Sequence, residues 1–134
     1  MIKVSHIDHL VLRARAPTKL VAFYCDVLGC TVERELDIGL VQLRAGQAMI
    51  DIVPMPADAA GQPNREPNLD HFCLRVEPFD EPTIRRYLTG KGIEVSPLME
   101  VYGADGFGPS IYLEDPEGNR IELKGSPTRG PLTK

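Results

Sequence analysis

Two histidines and two carboxylates recur in this chain at matched places. His9 stands in Ile7-Asp8-His9-Leu10-Val11-Leu12, and His71 stands in Leu69-Asp70-His71-Phe72-Cys73-Leu74, 62 residues later. In both, an apolar residue precedes the Asp-His pair and an apolar run follows it. An acid between aliphatics recurs in the same way, as Ile50-Asp51-Ile52 and Ile121-Glu122-Leu123. Two imidazoles and a carboxylate meeting in a concave sheet form a divalent-metal site, and a facial set of two histidines and one carboxylate leaves positions open for substrate or water. A lone strand histidine reads as a satisfied structural residue. The repetition at matched positions favours the metal reading. His6, three residues from His9 and without a counterpart, reads as a surface histidine.

The elements that would position these groups also come in duplicate. Both histidine segments read as short strands, apolar over five or six residues and therefore buried. Alternation puts His9 on one face with Ile7, Val11 and Arg13, and Leu10 and Leu12 on the other, toward a helix. His71 likewise shares its face with Cys73 and Arg75. Pro17 opens a helix whose apolar residues Leu20, Val21, Phe23, Tyr24, Val27 and Leu28 recur at helical spacing, and Gly29 stops it. Strands are predicted at Thr31–Glu35, Leu40–Arg44 and Ala48–Val53. In the second copy a strand over Asp70–Val76 is followed by a helix from Glu81 to Thr89. That helix has Asp80 as N-cap, an apolar face of Ile84, Tyr87 and Leu88, and Gly90 or Gly92 as its stop. Strands at Glu94–Val101, Ser110–Glu114 and Asn119–Lys124 complete it, the last two joined by the type I turn sequence Asp115-Pro116-Glu117-Gly118. The expected fold is α+β, with two βαβββ modules in one domain over residues 1–134. Module one spans about 5–53, a proline-containing linker 54–68, module two about 69–125, and a mobile polar tail 126–134. One helix covers one face of four strands, so the other face calls for a partner, most simply the second module.

Composition narrows the function classes. With a net charge of −4 and no basic block, nucleic acid is not an expected partner. No apolar run reaches the roughly 18 residues of a membrane span. The opening Met1-Ile2-Lys3-Val4-Ser5 does not read as a signal peptide. Cys25, Cys30 and Cys73 form an odd set without a CxxC, which predicts reduced thiols and a cytoplasmic protein. Cys73, on the His71 face, is a candidate to line the cavity, with a small buried hydrophobe as the leading reading. The carboxylates are 71 residues apart against 62 for the histidines, so module two carries an insertion of nine residues. It falls at the glycine-rich segment 103–108, which is either a substrate lid or an idle surface loop.

These segments, with Phe23-Tyr24-Cys25-Asp26-Val27-Leu28-Gly29 and Tyr112-Leu113-Glu114-Asp115-Pro116-Glu117-Gly118-Asn119-Arg120-Ile121-Glu122-Leu123, resemble the vicinal oxygen chelate superfamily over residues 6 to about 125. That superfamily includes glyoxalase I, fosfomycin-resistance thiol transferases, extradiol dioxygenases, methylmalonyl-CoA epimerase and bleomycin-binding proteins. The resemblance implies paired modules cupping a divalent metal that acts as a Lewis acid on substrate oxygens. By position, His9, His71 and Glu122 match the ligands, with Zn, Ni, Co, Mn and Fe undistinguished. Glyoxalase I has glutamate where Asp51 stands, so the shorter Asp51 is expected to carry a proton or bridge a water rather than to ligate. Arg13, four residues after the first ligand, matches an arginine that touches glutathione there. Arg75 is its repeat mate, and both are substrate-binding candidates, with solvated strand ends as the alternative. Extradiol dioxygenases usually carry a further histidine before the Tyr-x-x-Asp-Pro stretch, and the three histidines of this chain leave none there.

The leading expectation is a metal-dependent lyase or isomerase of glyoxalase I type. It would act on a small oxygenated substrate through an enediolate, with Glu122 and Asp51 as proton carriers and glutathione as a candidate co-substrate. An Fe(II)-dependent dioxygenase-like enzyme and a non-catalytic small-molecule binder are the alternatives. A homodimer is expected, since small members of the family pair and symmetric dimers are the commonest oligomers.

Overall fold

The computed structural model describes residues 1, 3–56 and 69–132; the expected linker from residue 57 onward and the last two tail residues lie outside them. The chain divides into two compact units, Met1–Arg65 and Glu66–Lys134. Both have the order βαβββ, and the fold is the α+β type that the repeat predicts.

In the first unit, β1 (His9–Ala14) leads through Pro17 into the helix α1 (Pro17–Ala22), which continues as a π-turn over Phe23–Val27. A single α-helix running to Leu28 was expected. The widened turn is marked by the Leu28 amide reaching the Phe23 carbonyl at 3.3 Å. Gly29, at φ +78°, then reverses the chain, a conformation open to glycine without strain. Strands β2 (Thr31–Glu35), β3 (Val41–Ala45) and β4 (Ala48–Pro54) follow, in the sheet order β1-β4-β3-β2. β1 and β4 run parallel. Leu12, Ala14, Leu43, Ile50 and Ile52 are buried with Leu20, Phe23 and Tyr24 from the helical segment. Burying an aliphatic side chain of this size contributes roughly 1.5–3 kcal/mol. The alternate residues His9, Val11 and Arg13 are exposed. The histidine strand was expected to be buried, but its second face is uncovered within the unit.

The second unit repeats this. β5 (Phe72–Arg75) leads to α2 (Glu81–Gly90), and then come β6 (Met99–Gly103), β7 (Gly106–Glu114) and β8 (Arg120–Lys124), in the order β5-β8-β7-β6. Leu88 of α2 is buried, as are Ile111, Leu113, Ile121 and Leu123 of the sheet. Tyr87, expected on the apolar face of α2, is exposed, with the Lys91 ammonium 5.3 Å from its ring centre. Gly92 rather than Gly90 ends the helix, at φ +77°. β6 begins five residues later than predicted. Residues 94–98 run irregularly, tied to β7 by Ser96, whose amide donates to the Tyr112 carbonyl while its hydroxyl accepts from the Tyr112 amide. Pro97 has no amide hydrogen to give a ladder there. Asp115 organises the predicted turn. Its Oδ1 accepts from the amides of Glu117 and Asn119, and its carbonyl from Gly118.

The segment 103–108 forms the tip of the β6–β7 hairpin. The tail, expected to be mobile, is hydrogen-bonded against it: the Phe107 amide donates to the Arg129 carbonyl, and the Thr128 amide to that of Phe107. The Arg129 guanidinium lies 4.1 Å from the Phe107 ring centre. Among the described residues no helix is long and apolar enough to cross a membrane.

Candidate functional site

Each unit places a histidine and a carboxylate on one face of its sheet in the same register. β4 and β8 are inner strands, so side chains on both sides bury Asp51 (4% exposed) and Glu122 (6%) even on the polar face. Asp51 stands opposite Val11, two residues beyond His9; Glu122 stands opposite Cys73, two residues beyond His71. The register thus carries the sequence repeat into space within each unit.

Both imidazoles are anchored by the aspartate that precedes them. His9 Nδ1 lies 2.8 Å from Asp8 Oδ2, and His71 Nδ1 lies 2.7 Å from Asp70 Oδ2. A carboxylate only accepts, so Nδ1 carries the proton and Nε2 is left for another partner. Such an outer carboxylate fixes the tautomer of metal-binding histidines and raises their basicity. The Asp8 hydrogen bond raises the His9 pKa, with Asp51 adding to it, and lowers that of Asp8 itself. The bond to His71 lowers the Asp70 pKa in turn. Neither aspartate was singled out from sequence, although both occur in the repeated Asp-His pair. Strict alternation separates neighbouring side chains, but these histidines stand at the strand entrances, where that rule lapses.

In the second unit His71 Nε2 lies 3.2 Å from Glu122 Oε1. Tyr112 donates to the same oxygen at 3.1 Å and Ser110 to Oε2 at 2.7 Å, so both carboxylate oxygens are held. Burial, and then Glu122, raise the Tyr112 pKa. Its ring meets His71 edge-on at 5.5 Å, with the Arg120 guanidinium 4.2 Å from its centre.

In the first unit Gln42 donates from Nε2 to Asp51 Oδ2 at 3.1 Å, and Asp51 Oδ1 is buried without a hydrogen-bond partner. An orphaned carboxylate oxygen is costly unless something binds it. The other predicted residues lie outside these histidine–carboxylate pairs. His6 is exposed and contacts Ser5, Arg13 is exposed on the His9 face, and Arg75 is paired with Glu77 at 3.1 Å and Asp105 at 2.7 Å. Cys73 is exposed rather than buried, because it lies on the uncovered face with His71.

These donors suit a divalent ion in chemistry: oriented Nε2 atoms, buried carboxylates and an oxygen lacking a partner. Within each unit they come as pairs, and among the described residues no group of three His, Cys, Asp or Glu is arranged to hold a metal ion.

Comparison with known proteins agrees with the repeat. The family model for the Glyoxalase/Bleomycin resistance protein/Dioxygenase superfamily matches residues 6–123. The chain belongs to that superfamily. A catechol-2,3-dioxygenase of Bacillus subtilis is 28% identical to it over 125 residues, covering 89% of this chain. The chain spans only 41% of that relative's length. The crystal structure of a lactoylglutathione lyase from Agrobacterium tumefaciens superposes with a TM-score of 0.66 at 23% identity, over 92% of this chain and 95% of the other. That of an antibiotic binding protein from a Streptomyces species gives 0.68 at 18%, over 93% and 98%. These two likenesses show the superfamily fold.

Proposed function

We propose that this member of the superfamily is a metal-dependent lyase or isomerase of glyoxalase I type, with His9, His71 and Glu122 holding a divalent ion. The observation that carries the reading is Oδ1 of Asp51, a buried acceptor without a partner on the face of His9. The bound ion would supply Lewis acidity to adjacent substrate oxygens. Asp8 and Asp70 hold the two imidazoles with Nε2 outward. Ser110 and Tyr112 fix the Glu122 carboxylate. Asp51 would carry the proton from the carbon beside a substrate carbonyl to the neighbouring carbon, with its Oδ2 bonded to Gln42. Arg13, exposed on that face, is the proposed contact for an anionic group such as a glutathione carboxylate.

The test is formation of lactoylglutathione from glutathione and methylglyoxal by metal-loaded protein. Asp51→Asn keeps the shape and removes the basicity. It is expected to lower turnover by roughly 10²–10⁴-fold, the size of a general-base contribution, while sparing bound metal. Unchanged turnover would overturn the role of Asp51. Asp51→Glu separates the alternatives: tighter metal binding would mark the position as a ligand that aspartate is too short to fill.

A second reading is favoured by the catechol-2,3-dioxygenase relative, and it predicts ring cleavage of a catechol by the Fe(II)-loaded protein. Against it stands the hairpin 102–108, which holds no imidazole to serve as the base.

A further inference from the structure

We propose that Gln42, itself held by Arg34, is a positioning residue that fixes the Asp51 carboxylate by one oxygen and so sets the place of the other, which is buried and without a partner. The inference rests on the reading of Asp51 as the proton acceptor. Gln42 in β3 stands directly opposite Asp51 in β4. Its Oε1 accepts from Arg34 Nε, and its Nε2 donates to Asp51 Oδ2 at 3.1 Å. The side-chain amide has a single workable orientation. A guanidinium can only donate and a carboxylate can only accept, so the oxygen must face Arg34 and the nitrogen Asp51. Asp51 is thereby held by one oxygen, and rotation of its carboxylate would break that bond.

The second unit shows what the first leaves out. Tyr112 has the register place of Gln42, opposite Glu122, and donates to it. Ser110, two residues earlier, takes the other Glu122 oxygen. Two residues before Gln42 the chain has Leu40, which has no side-chain donor. One module therefore closes both oxygens of its carboxylate, and the other closes one and leaves Oδ1 of Asp51 open. Gln42 and Leu40 together leave Asp51, unlike Glu122, with one carboxylate oxygen that no side chain engages.

Gln42→Met keeps the length of the side chain and removes the donor. In metal-loaded protein converting glutathione and methylglyoxal, kcat should fall about 10- to 100-fold, because a misplacement near 1 Å can cost about 100-fold. KM and metal content should stay within about twofold of the parent protein. In an Asp51→Asn background the same change should cost nothing further, because Gln42 acts only through Asp51. Arg34→Met, at an exposed position, should give a smaller loss of the same kind and serves if Gln42→Met does not fold. An unchanged kcat, or losses that multiply in the double variant, would overturn the proposal. If the parent protein does not turn over this substrate, the glyoxalase reading fails. The positioning claim is then decided by the ¹³C resonance of the Asp51 carboxyl in metal-free protein. It should move in Gln42→Met, and an unmoved resonance overturns the claim.

Discussion

Cys73 shows how the surroundings of a residue, rather than its exposure, set its chemistry. The residue is exposed and on the face of His71, yet its thiol is pushed up to about 11, first by the protein packed around it and then by the Glu122 carboxylate. Thiolate is the reactive form. At pH 8 only about 0.1% of the thiol would be ionised, against roughly 10% for a thiol near 9. In metal-free protein, alkylation of Cys73 by iodoacetamide should therefore rise about tenfold per pH unit up to about pH 11. Glu122→Gln, which removes the second cause, should move that profile to lower pH. A plateau already reached by pH 9 would contradict the assignment. At this scale the sequence was partly readable. His9, His71, Asp51 and Glu122 were found because they repeat. Gln42, Ser110 and Tyr112 were missed because their role depends on cross-strand register, which a sequence without a fixed pairing does not reveal. Cys73 was read as buried because an apolar run hides which of its faces lacks a cover.

At the scale of elements, most strands were legible from alternation and from the glycine and proline residues between them. β2 matches its expected bounds, Thr31–Glu35, and β4 differs only by including Pro54. The disagreements lie at Ser96, where side-chain bonds stand in for the sheet ladder, and at the hairpin tip, where the β6–β7 ladder runs on to Gly103 and Gly106 and β7 starts four residues earlier than expected. Gly106 makes the tail contact possible. Its φ is +120°, and a Cβ there would lie 2.0 Å from the Arg129 carbonyl oxygen. Gly118, at φ +83°, has nothing within 4 Å of such a Cβ. Gly106→Ala should cost more than Gly118→Ala, which carries backbone strain alone, about 1–2 kcal/mol. Urea unfolding would measure both. Hydrogen exchange at Thr128 should speed up in the Gly106 variant only. Equal costs and unchanged exchange would show that the tail contact does not matter to the fold.

At the scale of the whole molecule, two βαβββ units from one chain follow from a repeat that was visible without any structure. The number of chains that form a working site does not follow from it. A homodimer is the proposal that family resemblance makes, and sedimentation at micromolar concentration should report one. A metal-loaded monomer would contradict that and confine the site to a single chain. Metal content of purified variants tests the divalent ion most directly. His9→Ala and His71→Ala should each lose most of the bound divalent ion and melt at a lower temperature, since an ion bound only by the folded state stabilises it. His6→Ala should retain the ion and the melting temperature of the parent protein. Equal metal content in all three variants, or none in the parent protein, would contradict the account.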